Sequence, residues 1–506
     1  MINIEGLEYS YPHTSKPALN SVDLHVDKGE FVLVTGKSGC GKSTLACTLN
    51  GIIPHILGGN MEGKVVVNGK NTENFTVFQM AQEIGFIFQN PESQFFNLQV
   101  EDEVAFGPEN LGLDPEEIDK RVSKALNDVK MTFWRKHNVF NLSEGQKQRV
   151  AIAANLSLNP ELLVLDEPTS NLDLQGAMEL FQILGRLKNK GKTIVLIDHR
   201  TQHVRELVDR VIVMDKGRII HEGGKKLLHD HEAMKKYSIR NPTHLTTRMK
   251  ESNVYNTSNI IYNASEMILE VDNLSYHYSS GFTLEDVSLT LKKGEVLGIV
   301  GNNGSGKTTL AKVLVGLLKP DKGTVSFFPE DQGGNKISMA HKLGMVLQNP
   351  DHQLFMNTVH SELSFGLSEL GFSPGEIESR VETIQESMNL SKLRNRHPHS
   401  LSSGEKQRTL ISAFMTRQPH LLILDEPTTG MDSYHMNQLV GEIMKLQKYG
   451  VSFILISHDI EFLLKTTHKL IFMENGKIID EKLTEECYNL YGDFKGLESF
   501  QSLVNG

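Results

Sequence analysis

Short apolar runs set the dominant pattern along this chain. FVLVTG (31–36), LLVLD (162–166), TIVLID (193–198) and EVLGIVG (295–301) are almost unbroken in Val, Leu and Ile and end in Gly or an acidic residue. Strands covered on both faces lose the alternation of half-buried strands, so these runs predict a mostly parallel, buried sheet. Between them the period changes. Asp114 as N-cap, Pro115 at the first helical position and Glu117 three residues after the cap predict a helix with Ile118, Val122, Leu126 and Val129 on one face. Ser373, Pro374 and Glu376 repeat the device before Ile377, Val381, Ile384 and Met388. Strands alternating with helices predict α/β cores, each carrying a helical insert of about 50 residues.

The pattern occurs twice. Gln89 and Gln348, LSEGQKQR (142–149) and LSSGEKQR (401–408), LLVLDEPTSNLD (162–173) and LLILDEPTTGMD (421–432), and His199 and His458 are all related by one offset of 259 residues. Upstream of the glutamines the offset is 265. A period this long is a tandem of complete domains rather than a solenoid. The expected division is domain one at 1–238, a linker rich in Asn, Ser and Thr at 239–266, and domain two at 267–506.

Composition narrows the class. The 506 residues are 39% hydrophobic and carry a net charge of -10 without long like-charged blocks, so nucleic acid is not an expected partner. Three scattered cysteines fit a reducing compartment. The sequence contains no apolar run long enough to span a membrane and opens without a secretory pattern, so a cytoplasmic location is expected.

The chemistry begins at GKSGCGKST, which comprises Gly36, Lys37, Ser38, Gly39, Cys40, Gly41, Lys42, Ser43 and Thr44. Its counterpart is GNNGSGKTT, which comprises Gly301, Asn302, Asn303, Gly304, Ser305, Gly306, Lys307, Thr308 and Thr309. Both match the phosphate-binding loop, in which backbone N–H groups close around phosphates, the lysine neutralises β- and γ-phosphate charge, and the following hydroxyl ligates Mg²⁺. A chance match at two corresponding positions, each after a strand and before a helix, is remote. Downstream, Asp166 and Asp425 end apolar strands and are placed to hold Mg²⁺, while Glu167 and Glu426 are placed to polarise an attacking water. The bland alternative is that Asp-Glu merely closes a strand on the solvent side.

Phosphate loop, glutamine, LS-x-G signature, LLVLDE, SNLD or TGMD and a late histidine recur in this order in both halves, which closely resembles the ATP-binding cassette ATPases. The resemblance implies two tandem P-loop nucleotide-binding domains, each an α/β core with an inserted helical subdomain, that bind ATP and Mg²⁺ and hydrolyse ATP. It further implies that Gln89 and Gln348 approach the metal and the attacking water, and that His199 and His458 contact the γ-phosphate. Tyr11 and Tyr278 match the aromatic that stacks on adenine, though either could be an ordinary strand-edge tyrosine. Ser143 and Gly145, with Ser402 and Gly404, match the signature that caps the γ-phosphate bound to the opposite domain. Each ATP is then held between the two domains, arranged head to tail. Glu144, Ser403 and Glu405 depart from the family's LSGGQ signature; an extra carboxylate is expected to weaken ATP binding unless it points away or meets a cation such as Lys147 or Lys406.

The octets QNPESQFF (89–96) and QNPDHQLF (348–355), with the VEDEVAF and VHSELSF runs that follow, resemble the ATPases of energy-coupling factor importers. That implies a peripheral place on the cytoplasmic face of the cell membrane, an integral membrane coupling protein and a separate substrate-binding membrane protein. The transported substrate would be a vitamin, vitamin precursor or metal ion. Phe95, Phe96, Leu354 and Phe355 are the expected apolar contact surface, with Pro91 and Pro350 fixing the chain; alternatively these aromatics fill the helical subdomain's own core. A sugar-importer tandem and a non-transport tandem acting on ribosomes are the competing classes.

Overall fold

The structure, a computed structural model, describes residues 1–14, 16–199, 201, 204–240, 266–279, 281–328 and 342–491. The chain divides into two units, one whose main segment is Met1–Asn241 and one made of Pro242–Met431 with His435–Gly506. Ile239 and Arg240, expected in the linker, are buried. Positions 241–265, the bulk of the expected linker, lie outside the described residues.

In the first unit, β1 (Ile2–Ser10), β2 (Leu19–Val26), β4 (Asn60–Val67) and β5 (Lys70–Asn71) form an antiparallel sheet in the order β2-β1-β4-β5. The central sheet combines β3 (Phe31–Gly36), β6 (Ile84–Ile87), β7 (Leu162–Asp166), β8 (Thr193–Ile197), β9 (Arg210–Asp215) and β10 (Arg218–Gly224) in the order β10-β9-β3-β8-β7-β6. All its pairings are parallel except β10 with β9. Every residue of β3, β7 and β8 is buried, as their unbroken apolar runs predict. One face of this sheet, with Val32, Val34 and Val164, packs with residues of the antiparallel sheet and the helix Lys42–Leu49. The other face, with Phe31, Leu33, Leu163 and Leu165, packs with the helices Val100–Asn110, Pro115–Asp128, Glu144–Ser157 and Leu174–Asn189.

The second unit repeats this plan. Strands β11 (Met267–His277), β12 (Thr283–Lys292) and β14 (Lys322–Phe327) form the antiparallel sheet. The central strands are β13 (Val296–Val300), β15 (Leu343–Val346), β16 (Leu421–Asp425), β17 (Ser452–Ile456), β18 (Lys469–Glu474) and β19 (Lys477–Leu483). Their order, β15-β16-β17-β13-β18-β19, is the first unit's order read from the other edge. No helix among the described residues is long and apolar enough to cross a membrane.

The helical inserts follow their predicted faces with one local difference. Val122, Leu126, Val129, Val381 and Met388 are buried, and Ile118, Ile377 and Ile384 pack against the cores. Ser373 and Glu376 form the reciprocal capping box. Asp114 makes no side-chain cap, and Glu117, whose carboxylate would complete a capping box by accepting from Asp114 N, accepts instead from Arg121 Nε at 2.8 Å. The i, i+4 ion pair thus takes the carboxylate that the reciprocal half of the box would need.

Candidate functional site

In each unit the first central strand feeds a tight loop and then a helix. Gly41 and Gly306 precede the helices Lys42–Leu49 and Lys307–Leu314 with φ of 104° and 105°. A Cβ on Gly41 would lie 2.6 Å from the Ala18 carbonyl oxygen, so both backbone sign and space demand glycine. The loop lysine is buried beneath the loop it serves. Lys42 Nζ donates to Gly36 O at 3.1 Å and Lys37 O at 3.0 Å, and Lys307 Nζ to Gly301 O at 2.7 Å and Asn302 O at 2.9 Å. An ammonium held against carbonyls at a helix N-terminus is an anion cradle.

The hydroxyl after each lysine faces the aspartate that ends the neighbouring apolar strand. Thr308 Oγ1 donates to Asp425 Oδ2 at 2.7 Å, and Ser43 bonds Asp166 in the same way. Burial, reinforced by the charge of Glu167, pushes the Asp166 carboxyl up to about 6 against the opposing Ser43 hydrogen bond. Burial likewise raises Asp425. Asp166 Oδ1 is buried without a hydrogen-bond partner. A desolvated carboxylate with an orphaned oxygen beside a hydroxyl and a phosphate cradle fits a hard divalent cation such as Mg²⁺.

The next residue departs from ordinary backbone. Glu167 and Glu426 have φ of 46° and 48°, a left-handed conformation held by hydrogen bonds from their N–H groups to Ile197 O and Ile456 O, both at 2.8 Å. Each carboxylate is met by the late histidine. His199 Nε2 lies 3.2 Å from Glu167 Oε1, and His458 Nε2 lies 3.4 Å from Glu426 Oε1. Gln89 Nε2 also donates to Glu167 Oε2 at 3.1 Å. Burial would raise Glu167, but the close approach of His199 and the neighbouring charges, Lys42 and Arg240 among them, outweigh it and hold the carboxyl below its usual range. It therefore stays ionised at neutral pH.

The structure thus gathers Lys42, Ser43, Gln89, Asp166, Glu167 and His199 in one unit, and Lys307, Thr308, Asp425, Glu426 and His458 in the other; Gln348 lies exposed at the corresponding turn. Tyr11 OH lies 3.0 Å from Thr44 Oγ1, which ties the tyrosine to the loop helix, while Tyr278 packs edge-on against Tyr276.

Ser143 and Ser402 are N-caps of the helices Glu144–Ser157 and Ser403–Met415, each within a capping box, with Gly145 and Gly404 in the first turns. The two unusual carboxylates are both occupied inside their own units. Glu144 Oε1 accepts from Lys147 Nζ at 3.0 Å, and Glu405 Oε2 accepts from Ser402 N and Oγ, both at 2.9 Å. Lys406 is not the cation that meets Glu405; it pairs with Asp351 at 2.7 Å. Glu405 takes in this capping box the place that Gln146 has in the first unit, so its carboxylate is engaged at the helix start without a cation.

What the sequence left unread is why the octet has its spacing. Its second glutamine bridges the loop back to the preceding strand: Gln94 accepts from Phe88 N at 3.2 Å and donates to Phe86 O at 2.9 Å, and Gln353 accepts from Leu347 N at 2.7 Å and donates to Met345 O at 2.9 Å. Asn90 and Asn349 cap the short turns that follow. Glu92 pairs with Lys147 as Asp351 does with Lys406, fastening each octet to its signature helix. Glu103 Oε2 accepts from Phe96 N at 2.9 Å and Asn97 N at 2.8 Å, and Glu362 Oε2 accepts from Phe355 N at 3.1 Å and Met356 N at 2.9 Å. The repetition of these polar positions in both octets was the available signal.

This brace divides the four expected contact residues. Phe96 and Phe355 are 75% and 60% exposed, stacked on Phe106 and edge-on to Phe365 respectively. Leu354 is 3% exposed and belongs to the core, and Phe95 packs partly buried against the core. The expected surface is therefore corrected to Phe96 and Phe355, because the Glu103 and Glu362 clamps turn one side chain outward and leave its predecessor inward.

The raised Asp166 carboxyl has a thermodynamic consequence. A carboxyl whose folded pKa exceeds its unfolded value of 3.8 costs stability once ionised; the cost develops as pH rises from 3.8 to about 6 and is complete at pH 7. Asp166→Asn is expected to stabilise the nucleotide-free chain by about 2–3 kcal/mol at pH 7, and by clearly less at pH 5. Thermal melts at the two pH values check this, and no gain at pH 7 would count against a buried, uncompensated carboxylate.

The family model described as ABC transporter matches residues 19–170 and 284–429. A Methanosarcina mazei protein assigned as an ABC transporter ATP-binding protein is 39% identical over 95% of this chain and 88% of its own length. A Treponema denticola protein with the same assignment is 34% identical over 96% of this chain and 98% of its own length. Among solved structures, the model of ribosome-bound archaeal Pelota and ABCE1 is 21% identical, with a TM-score of 0.64 over 99% of this chain and 80% of that one, a likeness of fold.

Proposed function

The chain belongs to the ABC transporter family and hydrolyses ATP, and from that premise we propose that it is the energy-coupling subunit of an importer of the energy-coupling factor type. Its cargo would be a vitamin, a vitamin precursor or a metal ion. The carrying observation is the braced octet, which in both repeats fixes one exposed aromatic, Phe96 or Phe355, a few residues from the glutamine of the ATP site. A rigid apolar projection joined to the reactive loop suits a contact through which an integral membrane coupling protein senses nucleotide.

In this reading the ATP phosphates lie in the two glycine loops, with Lys42 and Lys307 neutralising their charge. Ser43, Gln89 and Asp166, and likewise Thr308, Gln348 and Asp425, would hold Mg²⁺, which screens the β- and γ-phosphates when bound. Glu167 and Glu426 accept the proton of the attacking water, and His199 and His458 orient that carboxylate and contact the γ-phosphate. Tyr11 and Tyr278 stack on adenine. By the family resemblance, Ser143 with Gly145 and Ser402 with Gly404 would each offer a helix N-terminus to a nucleotide γ-phosphate.

A tagged chain purified from detergent-solubilised membranes of its own host is expected to bring down an integral membrane coupling protein and a small substrate-binding membrane protein. Recovery of the chain only in the ribosomal or soluble fraction would overturn the importer assignment while leaving the ATPase untouched.

A further inference from the structure

Away from the ATP site, the first repeat carries a cavity of about 430 Å³ where the helical insert meets the α/β core. Its wall from the insert is the helix Pro115–Asp128, and its wall from the core is the end of the helix Leu174–Asn189 and the approach to β8. Five cationic side chains, Lys120, Arg121, Lys124, Lys190 and Lys192, face two carboxylates. Both carboxylates are engaged, Glu117 with Arg121 at 2.8 Å and Asp128 with Lys190 at 2.6 Å. Lys192 Nζ donates to neutral oxygens, Asn159 Oδ1 at 3.1 Å and Pro160 O at 2.5 Å. Neither Lys120 nor Lys124 makes an ion pair among the described residues. Five cations against two carboxylates leave the lining net positive, with the exposed Lys120 and Lys124 near Glu117 and Lys192 near Glu161 and Asp128. Burial, and then the proximity of Lys124 and Lys190, depress the Lys192 ammonium against the pull of Glu161 and Asp128.

Helix C-termini explain part of this arrangement. Arg121 donates to Ser157 O at 3.5 Å, at the end of the helix Glu144–Ser157, and Lys192 to Pro160 O in the loop that follows it. They do not explain Lys120 and Lys124. The second repeat supplies an internal control, since the corresponding positions are Ser379, Thr383, Tyr449 and Val451 where the first has Lys120, Lys124, Lys190 and Lys192. The same fold and the same ATP motifs are built there without the charge, so neither demands it.

We propose that this cavity binds a small doubly charged oxyanion, a phosphate or phosphate monoester, through Lys120 and Lys124 on the insert and Lys192 on the core. Bound there, the anion ties the insert, which carries the signature and the octet brace, to the core of the first repeat only. ATP handling then becomes responsive to the level of a phosphorylated small molecule, a property the second repeat lacks.

The test uses the full chain with both phosphate loops filled by a non-hydrolysable ATP analogue and Mg²⁺, at ionic strength held constant with chloride. Inorganic phosphate and, separately, glycerol 3-phosphate are titrated by calorimetry and followed by thermal melting. Expected are one saturable site per chain, a rise in melting temperature, and at least roughly tenfold weaker binding in Lys120→Gln/Lys124→Gln. Tighter binding of one probe tells free phosphate from a monoester. The control Lys64→Gln/Lys226→Gln removes two exposed lysines elsewhere in the repeat and should bind as the parent does. Absence of saturable binding, or equal affinity in the two double variants, overturns the proposal. Nucleotide binding and basal turnover stay at parental values in both variants, so that failure leaves the ATPase reading standing.

Discussion

Replacing Glu167 and Glu426 together by Gln is expected to lower ATP turnover by a factor of about 10² to 10⁴ while nucleotide binding persists. The amide keeps the size of the side chain and the left-handed backbone that aims it, but it cannot accept the water proton. Retention of binding follows because the phosphate cradle depends on Lys42, Lys307 and loop N–H groups, not on the glutamates. The ionised state is secured at Glu167, where the His199 contact and the surrounding positive charges overcome burial. A double variant that hydrolyses ATP at the parental rate, measured by phosphate release under saturating Mg-ATP, would show that neither glutamate is the base. Nucleotide-dependent compaction persisting in the variant, read by small-angle scattering, is the complementary expected result.

The second large effect separates docking from packing. Phe96→Ser/Phe355→Ser is expected to abolish co-purification with the membrane coupling protein and to stop transport. The isolated chain should lose no more than about 1 kcal/mol, since both rings are mostly solvent-exposed and surrender little beyond one aromatic contact each. Leu354→Ala, one residue away, should instead cost about 2–5 kcal/mol because that side chain is 3% exposed in a packed core. Melting temperatures with and without the partner distinguish the two. Marked destabilisation by the phenylalanine substitutions, with partner binding intact in the folded fraction, would remove the docking role and the main reason for an energy-coupling importer.

The strands and phosphate loops were legible because each is fixed by local physics. A strand buried on both faces has no room for polar residues, so LLVLD and TIVLI announce themselves. A loop that must close on phosphate through left-handed backbone leaves little choice but glycine at Gly41 and Gly306. Ser373 with Glu376 could be read as a cap because donor and acceptor are three residues apart. Asp114 with Glu117 shows the limit of that rule. There Asp114 makes no side-chain cap, and the Glu117 carboxylate pairs with Arg121 a turn further on rather than with the helix start.

Tertiary structure decided whatever depended on partners far away in sequence. Whether Phe95 or Phe96 turns outward rests on Glu103 clamping the backbone beyond the octet, since in an irregular segment no period assigns sides. Glu405 reads as a charge facing a nucleotide until the helix start is built and its carboxylate is taken by Ser402. The cationic cavity joins Lys120 and Lys124, one turn apart on the helix Pro115–Asp128, to Lys192 before β8, a segment far away in sequence. Residue type and spacing determined which chemistry this protein has; the meeting of distant segments determined which side chains are already satisfied and which remain available to act, because hydrogen bonds and charges are settled by proximity in space.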